Sequence, residues 1–260
     1  MRFGIRDIVD VSLFDLSTNK LVLFLESLKT SSTEIGAETV YARGGRGNPR
    51  RIAWDGTKDV NFKCEDCLIS PQSFSRLLGS NLVTGAQIVP FTEILVSSGA
   101  SIQLSSTPYT INPTLYPMGI HSTDDRSTPV QEYTLGSPSN PNEYSITGEV
   151  VTLPAGTVDG DMFIVNYYKQ SSANNKRMIV TSDQFPMTFK LTGYTLWRSE
   201  QDKKDYPCLI TIPSAKLLTP ITITQSVTGD PTVWPWSFTV LKDFRSNNMV
   251  IYDIDDQPIN

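Results

Sequence analysis

Residues 42–62, ARGGRGNPRRIAWDGTKDVNF, put four arginines (Arg43, Arg46, Arg50, Arg51) and four glycines (Gly44, Gly45, Gly47, Gly56) into fifteen positions before turning into an alternating apolar pattern. An anion site uses such residues, because glycine lets backbone N–H groups approach an oxyanion and arginine offers a bidentate fork. The spacing does not complete one. A P-loop requires GxxxxGK[ST] between strand and helix, and GGRGNPRR has no lysine followed by Ser or Thr. A dinucleotide fingerprint requires GxGxxG opening a helix, whereas Pro49 and the strand-like RRIAW follow these glycines. From the residues alone, this is a solvated loop whose arginines find partners elsewhere.

Other chemistry-bearing residues are equally incomplete. Cys64 and Cys67 in CEDC have the spacing of a redox or zinc pair, but alternation along DVNFKCED puts Cys64 on the same face as Val60 and Phe62, a core position. Only Cys208 and His121 could complete a tetrahedral zinc site, and neither has paired-knuckle spacing. His121 is the single histidine, and no nucleophile elbow accompanies it. The carboxylates in STDDRS (122–127) and YDIDDQ (252–257) lack the glycine and closing glutamate of a calcium loop and read as solvated acidic faces. A glycan hydrolase built on Asp124 and Asp125 ranks last among the readings. No catalytic, metal or cofactor site is expected.

The elements that must carry these residues are strands. Short runs of β-branched and aromatic residues punctuated by Pro, Gly, Asn and Ser make an antiparallel β protein, with candidate strands at 20–28, 51–55, 59–64, 86–97, 100–106, 143–153, 161–169, 176–182, 187–197, 207–217, 236–243 and 248–254. Twelve strands imply one or two sandwiches or barrels. One segment is helical: SPQSFSRLLG offers Ser70 as N-cap, Pro71 at the first position, Phe74, Leu77 and Leu78 on one face and Gly79 as the stop, predicting a helix over 71–78. Residues 107–142 hold six prolines with little periodicity and read as a long excursion. Two strands around turn residues follow it, so 99–175 is expected to be an insertion into a β domain formed by 1–98 and 176–260.

A chain of 260 residues with 39% hydrophobic content can bury a substantial core, and a net charge of −5 argues against duplex nucleic acid as the main ligand. No apolar run approaches the roughly 18 residues of a membrane span, carboxylates interrupt the N-terminal MRFGIRDIVDVSLF where a signal sequence would be apolar, and three cysteines make no disulfide framework. Synthesis and folding in a cytoplasm, with no membrane partner, are expected.

The order of elements carries a resemblance. A strand and polar loop (FLESLKTSSTEIGAETVYARGGRGNPRRIAWDG, 24–56), an alternating strand (58–64), the Ser-Pro helix (68–80) and VPFTEILVSSGASIQLSSTP (89–108) resemble the major tail, or tail tube, proteins of tailed bacteriophages. YSITGEVVTLPAGTVDGDMFIVNYYK is similar to β insertions that some of these proteins carry outside the tube, and VWPWSFTVLKDFRSNNMVIYDID to their closing hairpin. The resemblance implies a β-sandwich-like domain with a short helix and a protruding loop, self-assembling into stacked rings, hexameric in the family, that conduct viral DNA during ejection. It implies a structural virion protein made in the host bacterium, with further tail proteins as partners: sheath if the tail contracts, terminator, tape measure and baseplate. Under it, Arg43, Gly44, Gly45, Arg46, Gly47, Arg50 and Arg51 form an assembly loop whose arginines pair with Asp253, Asp255 and Asp256 of another subunit. The alternative is a virion surface protein, a head decoration or baseplate and receptor-binding β protein, that uses Tyr109, Tyr116 and Tyr133 for recognition.

Overall fold

The computed structural model describes residues 2–219, 221–229 and 231–259. Among the described residues eighteen strands and one helix divide between two compact units, residues up to 82 with those from 178 onward, and residues 83–177. The mostly antiparallel all-β class expected from the sequence is what the chain adopts. Among the described residues no helix is long and apolar enough to cross a membrane.

Unit 1 is built on β1 (Phe3–Ile5), β2 (Asp10–Asp15), β3 (Leu21–Leu25), β4 (Leu28–Arg43), β5 (Arg50–Asp66) and α1 (Pro71–Leu77), and is completed by the last strands of the chain. At the crossing between units the short strands β6 (Leu82–Thr84) and β14 (Lys176–Met178) pair with each other. Unit 2 runs through β7 (Ile88–Val96), β8 (Ser101–Gln103), β9 (Gly119–Thr123), β10 (Glu132–Leu135), β11 (Glu143–Thr147), β12 (Val150–Thr152) and β13 (Met162–Gln170). The return to unit 1 supplies β15 (Thr188–Ser199), β16 (Asp205–Leu217), β17 (Trp234–Val240) and β18 (Ile251–Ile254).

In unit 1 the sheet order is β3-β2-β15-β16-β17-β5-β4, with β1 on β15 and β18 on β16. Alternation decides which residues are inside: Val60, Phe62 and Cys64 of β5, Phe189 and Leu191 of β15, Cys208 and Ile212 of β16, and Trp236 and Phe238 of β17 form one core with Val11, Leu13 and Leu25. The helix closes that core with Leu77, which is fully buried, and sets Phe74 edge-on to Trp234 at 5.4 Å. Its ends follow the expected chemistry. Ser70 has extended backbone and its hydroxyl accepts from the Ser73 N–H at 3.0 Å, Pro71 opens the first turn, and Gly79 leaves in the left-handed region at φ +67.

Gly79 also has no room for a side chain, since a Cβ there would lie 2.5 Å from the Pro186 nitrogen and 2.6 Å from the Phe185 carbonyl carbon. Gly79→Ala should therefore destabilise unit 1 by more than the about 1–2 kcal/mol of a left-handed alanine alone, because backbone must also move. Urea unfolding followed by tryptophan emission measures this, and an unchanged midpoint would contradict the contact.

The seven strands of unit 2 run β7-β13-β9-β10-β11-β12-β8, and only β10 and β11 pair in parallel. A tight turn, in which the Ser98 N–H donates to the Ser101 carbonyl at 2.8 Å, brings β8 back beside β7, so the sheet nearly closes into a barrel. Its core is Ile102, Ile120, Tyr144, Val151, Phe163, Val165 and Tyr167 with their neighbours.

Several sequence expectations change. The predicted strands 51–55 and 59–64 are one strand, and the polar stretch before them, read largely as loop, is the sixteen-residue β4. Asp10–Asp15 is a central strand although the sequence reading left it unassigned. The predicted strand at 143–153 is the hairpin β11–β12, turning at Gly148 with φ +62. The excursion at 107–142 carries β9 and β10, and the predicted strand at 176–182 is only three residues long. Finally, Ile88–Val96 pairs along its whole length with β13, so its hydrogen bonds lie within unit 2.

Candidate functional site

The arginine–glycine segment is the tip of the β4–β5 hairpin, the longest ladder in the chain, running from Leu28 opposite Asp66 to Arg43 opposite Arg50. The root of this ladder is packed: Val60, Phe62, Cys64 and Asp66 are buried. Beyond Ile35 and Val60 the ladder leaves the core, and none of residues 36–59 is buried. Residues 36–43 at about 3.4 Å each give an exposed two-stranded ribbon roughly 25 Å long. Bulges at Ala37/Thr39 and Ala42/Arg43 re-aim the ribbon along its length.

The tip is built by the residues that a P-loop would have used differently. Gly45 and Gly47 take φ +92 and +87, and Asn48 takes +48, so the chain reverses where other side chains would be strained. The Asn48 N–H donates to the Gly45 carbonyl at 3.0 Å, and Arg51 Nε donates to the Gly44 carbonyl at 2.7 Å. Arg51 therefore ties the tip together, while Arg50 stacks over the Tyr41 ring at 4.2 Å. Among the described residues the ion pairs are Arg2–Glu200, Lys63–Glu34 and Arg198–Asp205, so none of the four tip arginines pairs with a described carboxylate of its own chain. Asp253 lies on β18 opposite Leu209, and Asp255 and Asp256 follow that strand. The Asp255 carboxylate accepts from the Gln257 N–H at 3.0 Å.

A feature that the sequence reading missed lies just behind the arginines. Register pairs Val40 with Trp54 and Ala42 with Ile52, and alternation puts these four on one face of the ribbon. Val40, Ile52 and Trp54 are more than half exposed, at 55%, 53% and 53%. The spacing of two in both VYAR and RIAW was the available signal. It went unused because the first of these was read as loop.

The other candidate residues have structural settings. Cys64 is buried, and burial first, then the charges of Asp66 and Glu65, push its thiol up to about 12, which keeps it a neutral core side chain. Cys208 is buried and its thiol is raised mainly by desolvation, whereas Cys67 is exposed. A thiol reagent should label Cys67 alone in the native protein and all three cysteines in denaturant. Rapid native labelling of Cys64 would show that the β5 core opens. Asp66, acidic and near the ribbon root, is buried and accepts from the Ser27 hydroxyl and the Leu68 N–H, fixing the turn into α1. Asp125 organises the turn after β9, where its carboxylate accepts from the Thr128 and Ser127 N–H groups, and these bonds hold it well below the usual carboxylate range. Among the described residues no group of three or more His, Cys, Asp or Glu side chains is placed to hold a metal.

A mostly antiparallel sheet with a capped helix, a long exposed ribbon and an inserted β unit makes this an all-β protein of two units. The sequence profile of the YomU/Tube protein family matches residues 3–253, and the chain belongs to that family of tail-tube-like structural proteins. No curated protein matches the sequence.

Proposed function

We propose that this chain is a major tail tube protein of a tailed bacteriophage, which self-assembles into stacked, six-membered rings that conduct the genome during ejection. The observation that carries the reading is the pair of open sheet edges in unit 1. β3 and β4 end the strand order, and among the described residues nothing pairs with their outer sides. An unpaired edge sixteen residues long is a template for another strand, and a soluble monomer would be expected to blunt it. Joining the β4 edge of one copy to the β3 edge of the next uses both edges and closes a ring of repeated sheets. The exposed Leu21 and Phe24 of β3 give that joint apolar cover.

In this reading the ribbon tip is the contact between successive rings, with Arg43 and Arg46 meeting Asp253, Asp255 and Asp256 of a neighbour while Arg50, over the Tyr41 ring, and Arg51, on the Gly44 carbonyl, hold the tip in shape. Unit 1 is the tube-forming part and unit 2 is carried outside the tube. Sheath, terminator, tape measure and baseplate proteins are the further partners, and viral DNA passes through the lumen without being held. The virion tail is the location. Negative-stain microscopy and sedimentation of concentrated protein test the reading: rings or tubes are expected, and a monomer at every concentration would overturn it.

A further inference from the structure

Unit 2 contains a cavity of about 300 Å³ lined by Tyr109, Tyr116, Tyr133, Tyr144 and Tyr168 with the exposed Glu132. The proline-rich excursion builds one wall. The Tyr109 N–H donates to the Tyr168 carbonyl at 2.7 Å, and Asn112, at φ +63, accepts from the N–H groups of Leu115 and Tyr116, which turns Tyr116 back onto β13. Tyr116 then sits edge-on to Tyr109 at 5.3 Å and to Tyr168 at 5.2 Å, and Tyr133 packs on Phe163 at 5.7 Å. The wall is thus a fixed aromatic surface.

Its polar inventory is uneven. Tyr167, which also lines the cavity, gives its hydroxyl to Glu93 at 2.9 Å. Tyr144 is 2% exposed and lines the cavity, and among the described residues neither its hydroxyl, which is not one of the buried unpartnered atoms, nor the exposed Glu132 carboxylate makes a hydrogen bond, so both are free for a ligand. No lysine, arginine or histidine lines the cavity.

We propose that this cavity binds one pyranose unit of a neutral glycan. Aromatic faces accept the C–H face of a sugar ring, while the Tyr144 hydroxyl and the Glu132 carboxylate are placed for its hydroxyls. The volume lies at the small end of ligand pockets, which suits a single ring. A carboxylate without a cation disfavours phosphate and acidic sugars, and the uncommitted phenol disfavours a purely apolar ligand. The site lies wholly within unit 2, so it holds whether or not unit 1 forms a tube.

Saturation-transfer NMR on the full chain tests this, using methyl glucoside, methyl galactoside, methyl mannoside, rhamnose, N-acetylglucosamine and N-acetylgalactosamine. Glucuronate and a proline-rich peptide serve as comparison ligands. Affinities near 1 mM call for about 10 mM of each sugar. At least one neutral sugar should receive saturation, and its affinity should fall about tenfold or more in Tyr116→Ala and severalfold in Glu132→Gln. Glu132 is exposed, so the second variant keeps the test valid if the first misfolds. Absence of transfer to every neutral sugar would overturn the proposal. So would transfer unchanged in folded variants, or tighter binding of glucuronate or the peptide.

Discussion

Replacing Ile52 and Trp54 together with glutamate should leave the monomer folded and stop the proposed assembly. Both side chains are about half exposed and stand on a ribbon that contributes no residue between 36 and 59 to the core. Surface substitutions of that kind usually change stability by less than about 0.5 kcal/mol, with at most about 1 kcal/mol more for lost cross-strand pairing to Val40 and Ala42. Assembly has much more to lose. An isolated two-stranded ribbon is marginal in water, so Val40, Ile52 and Trp54 must gain cover from another surface if the arm is ordered in use. Fully burying one such side chain contributes about 1.5–3 kcal/mol, and placing an unpaired carboxylate there reverses the sign. Across the copies of the proposed ring that difference would separate a polymer from a monomer. Sedimentation gives the assembly state and a thermal melt the fold. Rings at the unmutated concentration would remove the apolar face from the interface, and a melt lowered by many degrees would mean that the ribbon folds back on its own chain.

What could be read in the sequence followed one-sided burial. Val60, Phe62 and Cys64 alternate with Asn61, Lys63 and Glu65, so the β5 root was legible, and the helix announced itself by Ser70, Pro71 and Gly79. β4 was not legible as a strand because both faces of its outer half meet water, which erases the apolar alternation that marks a half-buried strand. Asp10–Asp15 was missed for a different reason. Its run sits in an N-terminal stretch that was judged only as a candidate signal sequence, although Val11 and Leu13 are fully buried. In the excursion, prolines at 108, 113, 117 and 129 hid β9 and β10, each of which is only four or five residues long.

The candidate site was legible in composition but not in geometry. Glycine and arginine marked 43–51 as unusual, and their spacing fits no phosphate motif. That Arg51 serves the loop's own backbone, while Arg43 and Arg46 make no ion pair among the described residues, depends on the three-dimensional turn. So does the apolar face behind them, because only the register across the hairpin brings Val40 beside Trp54.

That division among the arginines gives the second large effect. Arg43→Ala with Arg46→Ala should weaken assembly and abolish most of its salt sensitivity, whereas Arg51→Ala should weaken it without changing the salt dependence of what remains. In the unaltered protein, raising the salt from 0.1 to 1 M shortens the screening length from about 10 to about 3 Å, so exposed charge pairs between copies fade while apolar contacts persist. Each exposed pair contributes only about 0–1 kcal/mol, but the proposed ring joint would repeat it in every subunit and the contributions would act together. Arg51 acts differently, because its bond to the Gly44 carbonyl holds the turn in shape, and its loss disorders the tip without removing the charges of Arg43 and Arg46. The acidic partners can be examined by exchange: Arg43→Glu with Arg46→Glu should block assembly, and adding Asp253→Arg with Asp256→Arg should restore it. Assembly that is equally salt-sensitive with and without Arg43 and Arg46 would take these arginines out of the ring-to-ring contact. Charge reversal that blocks assembly but is not restored would move their partner away from the segment after β18.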